Sequence, residues 1–217
     1  MCRALRHSDT YVYSADLEDL ETTQHRDEFI RCSITNPHSV DAAFNLVAKR
    51  FGSVDAVINC TYIRNPGYGK YHWDQTPISS MCSFINANLG STLSMLQSCK
   101  LLGVENVILI SSIYGEKVPE DWMYEGTNVI KTPLEYACTK AALNQMVRYL
   151  SKEMHINAIA PGGIESDDMD RQFKENYKGI APFTKPESIG AMADFLISEK
   201  GEEINGQVIT IDNGFSV

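Results

Sequence analysis

The feature of this sequence that most constrains its fold is a regular alternation of short apolar runs with longer amphipathic segments. Segments with helical spacing, such as the one that starts at Pro37 and ends before Gly52, separate the runs. This β-α order predicts an α/β fold with a doubly wound parallel sheet and helices on both faces. No repeat or linker divides the chain, so we expect a single domain over residues 1–217. The six predicted strands are residues 11–15, 29–32, 56–60, 107–111, 155–160 and 207–212, and the other predicted helices are residues 77–102, 134–152 and 186–197.

Composition and charge exclude several classes of function. The net charge of −9 and the pI of about 5.0 argue against nucleic acid or an anionic membrane surface as a partner. No apolar run approaches the roughly 20 residues that span a bilayer, and the N-terminus lacks the apolar stretch of a signal peptide. The six cysteines form no C-x-x-C pair, so we expect free thiols in a reducing, cytoplasmic setting. The five histidines have no metal-ligand spacing, and no metal is expected.

Ser112, Tyr136 and Lys140 are the strongest candidates for chemistry. Tyr136 and Lys140 are four residues apart in a predicted helix, so they share one face of it. A phenol has a pKa of about 10, and an ammonium group nearby lowers that pKa by stabilising the phenolate. The tyrosine can then exchange a proton with an alcohol–carbonyl pair, while Ser112 donates a hydrogen bond to the same oxygen. Taken alone, Tyr136 and Lys140 could also be a surface tyrosine and a solvated lysine.

Three stretches occur in order and in strand, helix and strand contexts: VILISSIYG, EYACTKAAL and INAIAPGGI. Together they resemble the short-chain dehydrogenase/reductase (SDR) family. The resemblance implies a Rossmann-like sheet and an NAD(P)-dependent oxidoreductase that interconverts an alcohol and a carbonyl. It also implies that Ser112, Tyr136 and Lys140 are the catalytic residues. Asn88, in INANLGS, matches the helix asparagine that supports a water link to the lysine in that family.

The same resemblance implies a set of cofactor contacts. Asp16 follows the first predicted strand, where the family places an acidic residue on the adenosine ribose, which favours NAD(H) over NADP(H). A helix-capping aspartate is the alternative for Asp16. Pro161 and Gly162 match the Pro-Gly beside the nicotinamide, Ile164 would contact its carboxamide, and Ser166 matches a phosphate- or amide-binding threonine. The implied cofactor-binding residues are Asp16, Asn59, Tyr136, Lys140, Pro161, Gly162, Ile164 and Ser166.

The sequence departs from the family on the nucleotide side. The family opens with a strand and a T-G-x-x-x-G-x-G turn whose N–H groups bind pyrophosphate, and no such motif occurs here. Cys60, Thr61 and Tyr62 replace the Asn, Ala and Gly beside the ribose. These departures predict an N-terminally truncated, six-stranded sheet and leave impaired cofactor binding open. Three alternatives would explain the missing motif: a truncated product, a strand that shifts to close the gap, or a non-catalytic protein that acts through oligomer or partner contacts.

Weaker features concern the substrate and the assembly. EGT, the Pro-x-Glu before Tyr136 and the GFSV ending resemble SDR members of bacterial surface-sugar pathways, including nonulosonic acid and flagellin glycosylation. This resemblance implies a small polar, sugar-derived substrate. Family members commonly pair through the two long helices, which correspond here to residues 77–102 and 134–152. We therefore expect a homodimer or a homotetramer.

Overall fold

The computed structural model describes residue 5 and residues 10–18, 28–178 and 181–217. Within these ranges the chain forms an α/β fold, as predicted. The strands are β1 (Tyr13–Asp16), β2 (Glu28–Arg31), β3 (Ala56–Asn59), β4 (Asn106–Ile110), β5 (Ile156–Pro161) and β6 (Val208–Ile211). The helices are α1 (Pro37–Phe51), α2 (Ile78–Ile85), α3 (Ser91–Leu102), α4 (Leu134–Leu150), α5 (Arg171–Lys178) and α6 (Pro186–Ile197).

All the strand pairings in the described residues are parallel, but they form two sheets. β1 pairs with β2, and a second sheet has the order β3-β4-β5-β6. β1 therefore does not move across to pair with β3, which removes one of the three alternatives that the sequence left open. The carboxyl ends of β3, β4 and β5 lie along one edge of the larger sheet, where open α/β sheets bind their ligands.

Helices cover both faces of the larger sheet. Because alternate residues of β4 point to opposite faces, this strand contributes side chains to a separate core on each face. Val107 and Leu109 pack into a core with side chains of α1, α3 and α4, such as Val40, Leu96 and Leu143. Ile108 instead packs with side chains of α6 in a second core on the opposite face. A nearly continuous apolar strand is the expected sequence of a parallel strand buried on both faces.

The ends of α1 are those that the sequence predicts. The Asn36 side chain accepts a hydrogen bond from the His38 amide at 3.1 Å, and Pro37 is the first helical residue. Gly52 ends the helix with φ at 92°, a conformation that favours glycine.

Two predicted segments differ from the structure. The expected single helix at residues 77–102 is divided, because a π-helical turn, Asn86–Gly90, separates α2 from α3. π-turns of this kind occur mostly at functional sites. Residues 161–182, which lie outside the predicted strands and helices, contain α5. In the described part of the chain, none of the helices is long and apolar enough to cross a membrane.

Asn157 is a fully buried polar residue in β5 that ties this strand to the turn before β6. Its side chain donates to the carbonyl of Ile204 at 2.5 Å and accepts from the amide of Gln207 at 2.9 Å. We predict that Asn157→Ala lowers the free energy of unfolding by about 1–3 kcal/mol, because two partly buried backbone groups lose their partners. Urea denaturation would measure the loss, with the exposed Thr210→Ala in β6 as control; equal midpoints for the two variants would contradict the prediction.

Candidate active site

Helix α4 is fixed against the carboxyl end of β4 by polar contacts. The Nζ of Lys140 donates to the carbonyl of Ile110, the last residue of β4, at 2.7 Å. The Ser111 hydroxyl donates to Oδ1 of Asn144, one turn further along α4, at 2.5 Å. Ser111, Lys140 and Asn144 are all buried. These contacts fix the position of α4 along β4. They therefore also fix its position relative to Ser112, the residue that follows Ser111.

Gly115 makes the close approach of α4 possible. It ends a short 3-10 turn, Ile113–Gly115, that begins after Ser112. A Cβ atom on Gly115 would lie 3.0 Å from the Lys140 backbone and 2.8 Å from the Asn144 side chain. Any other residue would therefore push the turn away from α4, which gives a physical reason for the Ser-x-x-Gly spacing in SSIYG.

The structure brings Ser112, Tyr136 and Lys140 together. A side-chain hydrogen bond links Ser112 to Tyr136, and the Ser112 hydroxyl also accepts from the Tyr114 amide at 3.2 Å. The Nζ of Lys140 lies 5.6 Å from the centroid of the Tyr136 ring. A hydroxyl from the end of β4 and a phenol and an amine from α4 thus surround one space.

The electrostatics of this space differ in one respect from the expectation. Burial raises the pKa of Tyr136. The Ser112 hydrogen bond and the positive charge of Arg64 lower this pKa, but they offset only part of the effect of burial. Burial also lowers the pKa of Lys140 to about 8, because desolvation disfavours its ammonium form. The sequence predicted a lowered tyrosine pKa; in the structure, the burial of the phenol outweighs the nearby groups that favour the phenolate.

Asn88 lies in the π-turn and clamps a neighbouring loop. Its Oδ1 accepts from the Ile63 amide and its Nδ2 donates to the Ile63 carbonyl, both at 2.8 Å. Nδ2 also donates to the carbonyl of Phe84 at 3.0 Å. Asn59 holds the start of the same loop: its Oδ1 accepts from the amide and hydroxyl of Thr61, and its Nδ2 donates to Thr92. Both asparagines therefore shape the loop after β3.

A small cavity of about 10 Å³ lies behind the Tyr136 phenol, close to the size that one water molecule needs. Asn59, Asn88 and Lys140 are among its lining residues. Tyr62 and Thr139 also line it. The cavity thus lies between the lysine and the asparagine that the sequence analysis links through water.

The remaining candidate cofactor residues follow β5 at the same sheet edge. Pro161 ends β5, and the Gly162 amide donates to the Ile211 carbonyl at 2.9 Å. Ile164 is bridged to Thr184 and is 39% exposed, which leaves part of its side chain accessible to a ligand. Ser166 is exposed further along this loop.

Tyr177 on α5 is a residue that the sequence analysis missed. Its hydroxyl accepts from the Gly163 amide at 2.7 Å, and its ring stacks between those of Phe183 and Phe215. Cβ atoms on Gly162 and Gly163 would each lie 2.8 Å from Tyr177. The helix therefore fixes the Pro-Gly-Gly stretch, and the double glycine was the only indication of so close a neighbour.

Asp16 is the last residue of β1 and belongs to the smaller sheet. Its exposed carboxylate accepts from the Leu17 amide at 2.6 Å. This local contact leaves the carboxylate accessible at the end of its strand.

The loop after β3 contributes an aromatic cluster that the sequence analysis did not place at the site. The Tyr62 ring lies edge-on to the Tyr136 ring, with 5.1 Å between the centroids. Tyr62 also contacts the rings of Tyr68 and Phe84, and the Arg64 guanidinium lies over both loop tyrosines. In the sequence, the one indication that this loop differs from the family pattern was Tyr62 in place of the family's glycine.

Two further expectations concern metal and sulfur. The described residues contain no group of three or more potential metal ligands. The cysteines in the described part of the chain, which exclude Cys2, form no disulfide bonds.

Comparisons with known proteins place this geometry in context. A family model described as enoyl-(acyl carrier protein) reductase matches residues 8–216. The post-translational flagellin modification protein A of Campylobacter coli is 26% identical over 200 residues, which cover 87% of this chain and 77% of that protein. A short-chain dehydrogenase from Leptospira borgpetersenii, solved with bound NAD+, aligns with a TM-score of 0.79 at 24% identity and covers 94% of this chain and 82% of its own. One from Burkholderia cenocepacia, solved with NADP, has a TM-score of 0.72 at 21% identity, with coverages of 91% and 80%.

The lowered pKa of Lys140 makes a pH dependence testable. Since burial lowers this pKa from 10.5 to about 8, the folded protein binds fewer protons than the unfolded chain between these values. We predict that Lys140 loses its proton near pH 8 and that its contribution to stability rises as the pH rises from there towards 10.5. NMR of 15N-labelled lysine would follow the titration, and Lys140→Gln would identify the resonance. Titration of every lysine near the ordinary value would contradict the prediction.

Proposed function

Because the chain belongs to the short-chain dehydrogenase/reductase family, we propose that it is an NAD(P)-dependent oxidoreductase that interconverts an alcohol and a carbonyl on a small polar, sugar-derived substrate. The observation that carries the proposal is the meeting of the Ser112 hydroxyl, the Tyr136 phenol and the Lys140 amine at the end of β4. General acid–base chemistry on an alcohol or a carbonyl oxygen needs such a set of groups.

The residues present fit the nicotinamide half of the cofactor. Pro161 and Gly162 lie at the end of β5, and β5 pairs with the strand that leads to Ser112. Gly162 and Gly163 allow a close backbone approach there, and Ile164 is partly exposed. The pyrophosphate has no glycine-rich turn to bind in the described residues. The bound cofactor would supply the hydride exchange at the substrate carbon.

The side chains of this site handle the proton. Tyr136 gives its proton to the substrate oxygen in the direction of reduction and takes it back in the direction of oxidation. Ser112 donates a hydrogen bond that orients the same oxygen. Lys140 is charged at neutral pH, since its pKa is about 8, and its charge favours the phenolate. Asn88 acts indirectly, because it holds the loop that lines the site.

We propose the cofactor contacts implied by the family resemblance, with NAD(H) preferred over NADP(H). The accessible Asp16 carboxylate would accept hydrogen bonds from the ribose hydroxyls and repel a 2′-phosphate. The Asn59 side chain makes hydrogen bonds within the protein through both its oxygen and its nitrogen, so its proposed contribution is to shape the cofactor-side loop. The proposed contact residues are Asp16, Asn59, Tyr136, Lys140, Pro161, Gly162, Ile164 and Ser166.

The proposal of a sugar-derived substrate rests on the sequence resemblance to members of surface-sugar pathways, and the likeness to a flagellin modification protein agrees with it. We also propose a homodimer or homotetramer that forms through the outer faces of the long helices. Exposed apolar side chains on those faces support it, for example Ile78 on α2, Leu93 on α3 and Leu134 and Tyr149 on α4.

The first test removes the phenolic proton. We predict that Tyr136→Phe lowers turnover by at least about 100-fold while cofactor affinity changes little, because the substitution removes the acid–base group and keeps the ring. Tyr149→Phe on the same helix is the control, since Tyr149 is 76% exposed. Formation of reduced cofactor with a panel of aldoses would be measured by absorbance. Equal rates for the two variants, or no turnover by the unaltered protein with any of the panel, would overturn the proposal.

The second test concerns cofactor choice. We predict that the protein binds NAD+ more tightly than NADP+ and that Asp16→Asn reduces this preference by about tenfold, because the repulsion of the 2′-phosphate is lost. Isothermal titration calorimetry would give both dissociation constants. Asp55→Asn is the matched control, because Asp55 lies just before β3, at the opposite edge of the sheet. A preference that Asp16→Asn leaves unchanged would rule out the role proposed for Asp16.

A further inference from the structure

Arg64 places an exposed positive charge beside the candidate active site. Its central guanidinium carbon lies 5.5 Å from the centroid of the Tyr62 ring and 5.2 Å from that of the Tyr68 ring. The Tyr62 ring in turn lies edge-on to the ring of Tyr136, at 5.1 Å between centroids. A single aromatic ring therefore separates this charge from the proposed catalytic phenol.

The position of Arg64 is fixed from both sides. The preceding residue, Ile63, is held by hydrogen bonds of its amide and its carbonyl to the buried Asn88 side chain. The two tyrosine rings then support the guanidinium group through cation–π contacts, which Arg makes more readily than Lys. The charge is thus held in place rather than carried on a freely moving side chain.

Arg64 has no carboxylate partner among the described residues, and no hydrogen bond within that part of the chain uses its N–H groups. Other exposed arginines are paired: Arg50 with Glu28, Arg148 with Glu116 and Arg171 with Glu175. The contrast is informative because acidic residues outnumber basic ones in this chain, which carries a net charge of −9. A fixed, unpaired guanidinium at a ligand site suits an anion that comes from outside the protein.

The carboxylate of Glu135 does not offer an equivalent site. Glu135 acts electrostatically on Tyr68, as Arg64 does, but only 4% of Glu135 is exposed. Its carboxylate lies in the first turn of α4, where the helix dipole stabilises a negative charge. A ligand that enters from solvent therefore meets Arg64 and not Glu135.

Building on the proposed oxidoreductase function, we infer that Arg64 binds an anionic group of the substrate, a carboxylate or a phosphate, and so sets the specificity of the site. The planar guanidinium can form two parallel hydrogen bonds with either group. The anion would be held next to Tyr62 while the reacting hydroxyl or carbonyl lies at Tyr136 and Ser112. The substrate class is then an acidic or phosphorylated sugar derivative rather than a neutral one.

Binding measurements on the full chain test this inference without turnover. Isothermal titration calorimetry would use D-glucose, D-glucuronate and D-glucose 6-phosphate as neutral, carboxylate and phosphate probes. We expect at least one anionic probe to bind about tenfold or more tightly than glucose, and Arg64→Gln to abolish that preference. Arg64→Lys should retain only part of it, because lysine keeps the charge but loses the two parallel hydrogen bonds. The anionic probe that is preferred distinguishes a carboxylate from a phosphate.

Arg50→Gln is the matched control, because Arg50 pairs with Glu28 at the amino-terminal end of β2, the edge opposite the site. It should leave the preference unchanged. Equal or undetectable binding of all three probes, or an equal loss in Arg64→Gln and Arg50→Gln, would overturn the inference. An anion preference without turnover with either nicotinamide cofactor would refute the oxidoreductase proposal and leave the anion site standing.

Discussion

The whole site depends on how closely α4 lies against the carboxyl end of β4. Three contacts set this distance: the bond from Lys140 to the Ile110 carbonyl, the bond from Ser111 to Asn144, and the side-chain-free surface of Gly115. Because both helix and strand are buried at this point, the separation of the phenol, amine and hydroxyl is determined by packing. Burial also sets their chemistry, since it disfavours both the phenolate and the ammonium form.

Burial therefore has opposite consequences for the two ionisable groups. It raises the pKa of Tyr136 above its ordinary value of 10.0 and lowers that of Lys140 from 10.5 to about 8, so two groups of similar acidity become different and the ammonium becomes the stronger acid. At neutral pH the phenol and the ammonium are therefore both protonated, and the protonated phenol is the form that can donate a proton to a carbonyl oxygen. Positive charge beside Tyr136 matters more in this setting than it would in water, since the local dielectric constant is low.

Much of the fold and part of the site could be predicted from the sequence. The six parallel strands follow from apolar runs with turn residues between them, and the spacing of Tyr136 and Lys140 is fixed by the helical period. The division of the sheet depends on pairing between distant segments, which local pattern does not contain. The π-turn at Asn86–Gly90 and the helix α5, whose apolar residues Phe173 and Tyr177 pack into a cluster of aromatic rings, were missed for the same reason.

The loop after β3 shows how a departure from a family pattern can still fit its site. Asn59 and Asn88 hold the backbone of this loop through its amide and carbonyl groups, so they constrain its path but not the side chains of Tyr62 and Arg64. Replacing a glycine with Tyr62 is therefore tolerated, and the ring packs against Tyr136 instead of displacing the loop. A loop whose backbone is fixed but whose side chains can vary is a suitable place for substrate specificity to differ between relatives. Tyr62 and Arg64 occupy two such positions, next to the proposed catalytic residues, whose spacing is fixed by the packing of α4 on β4.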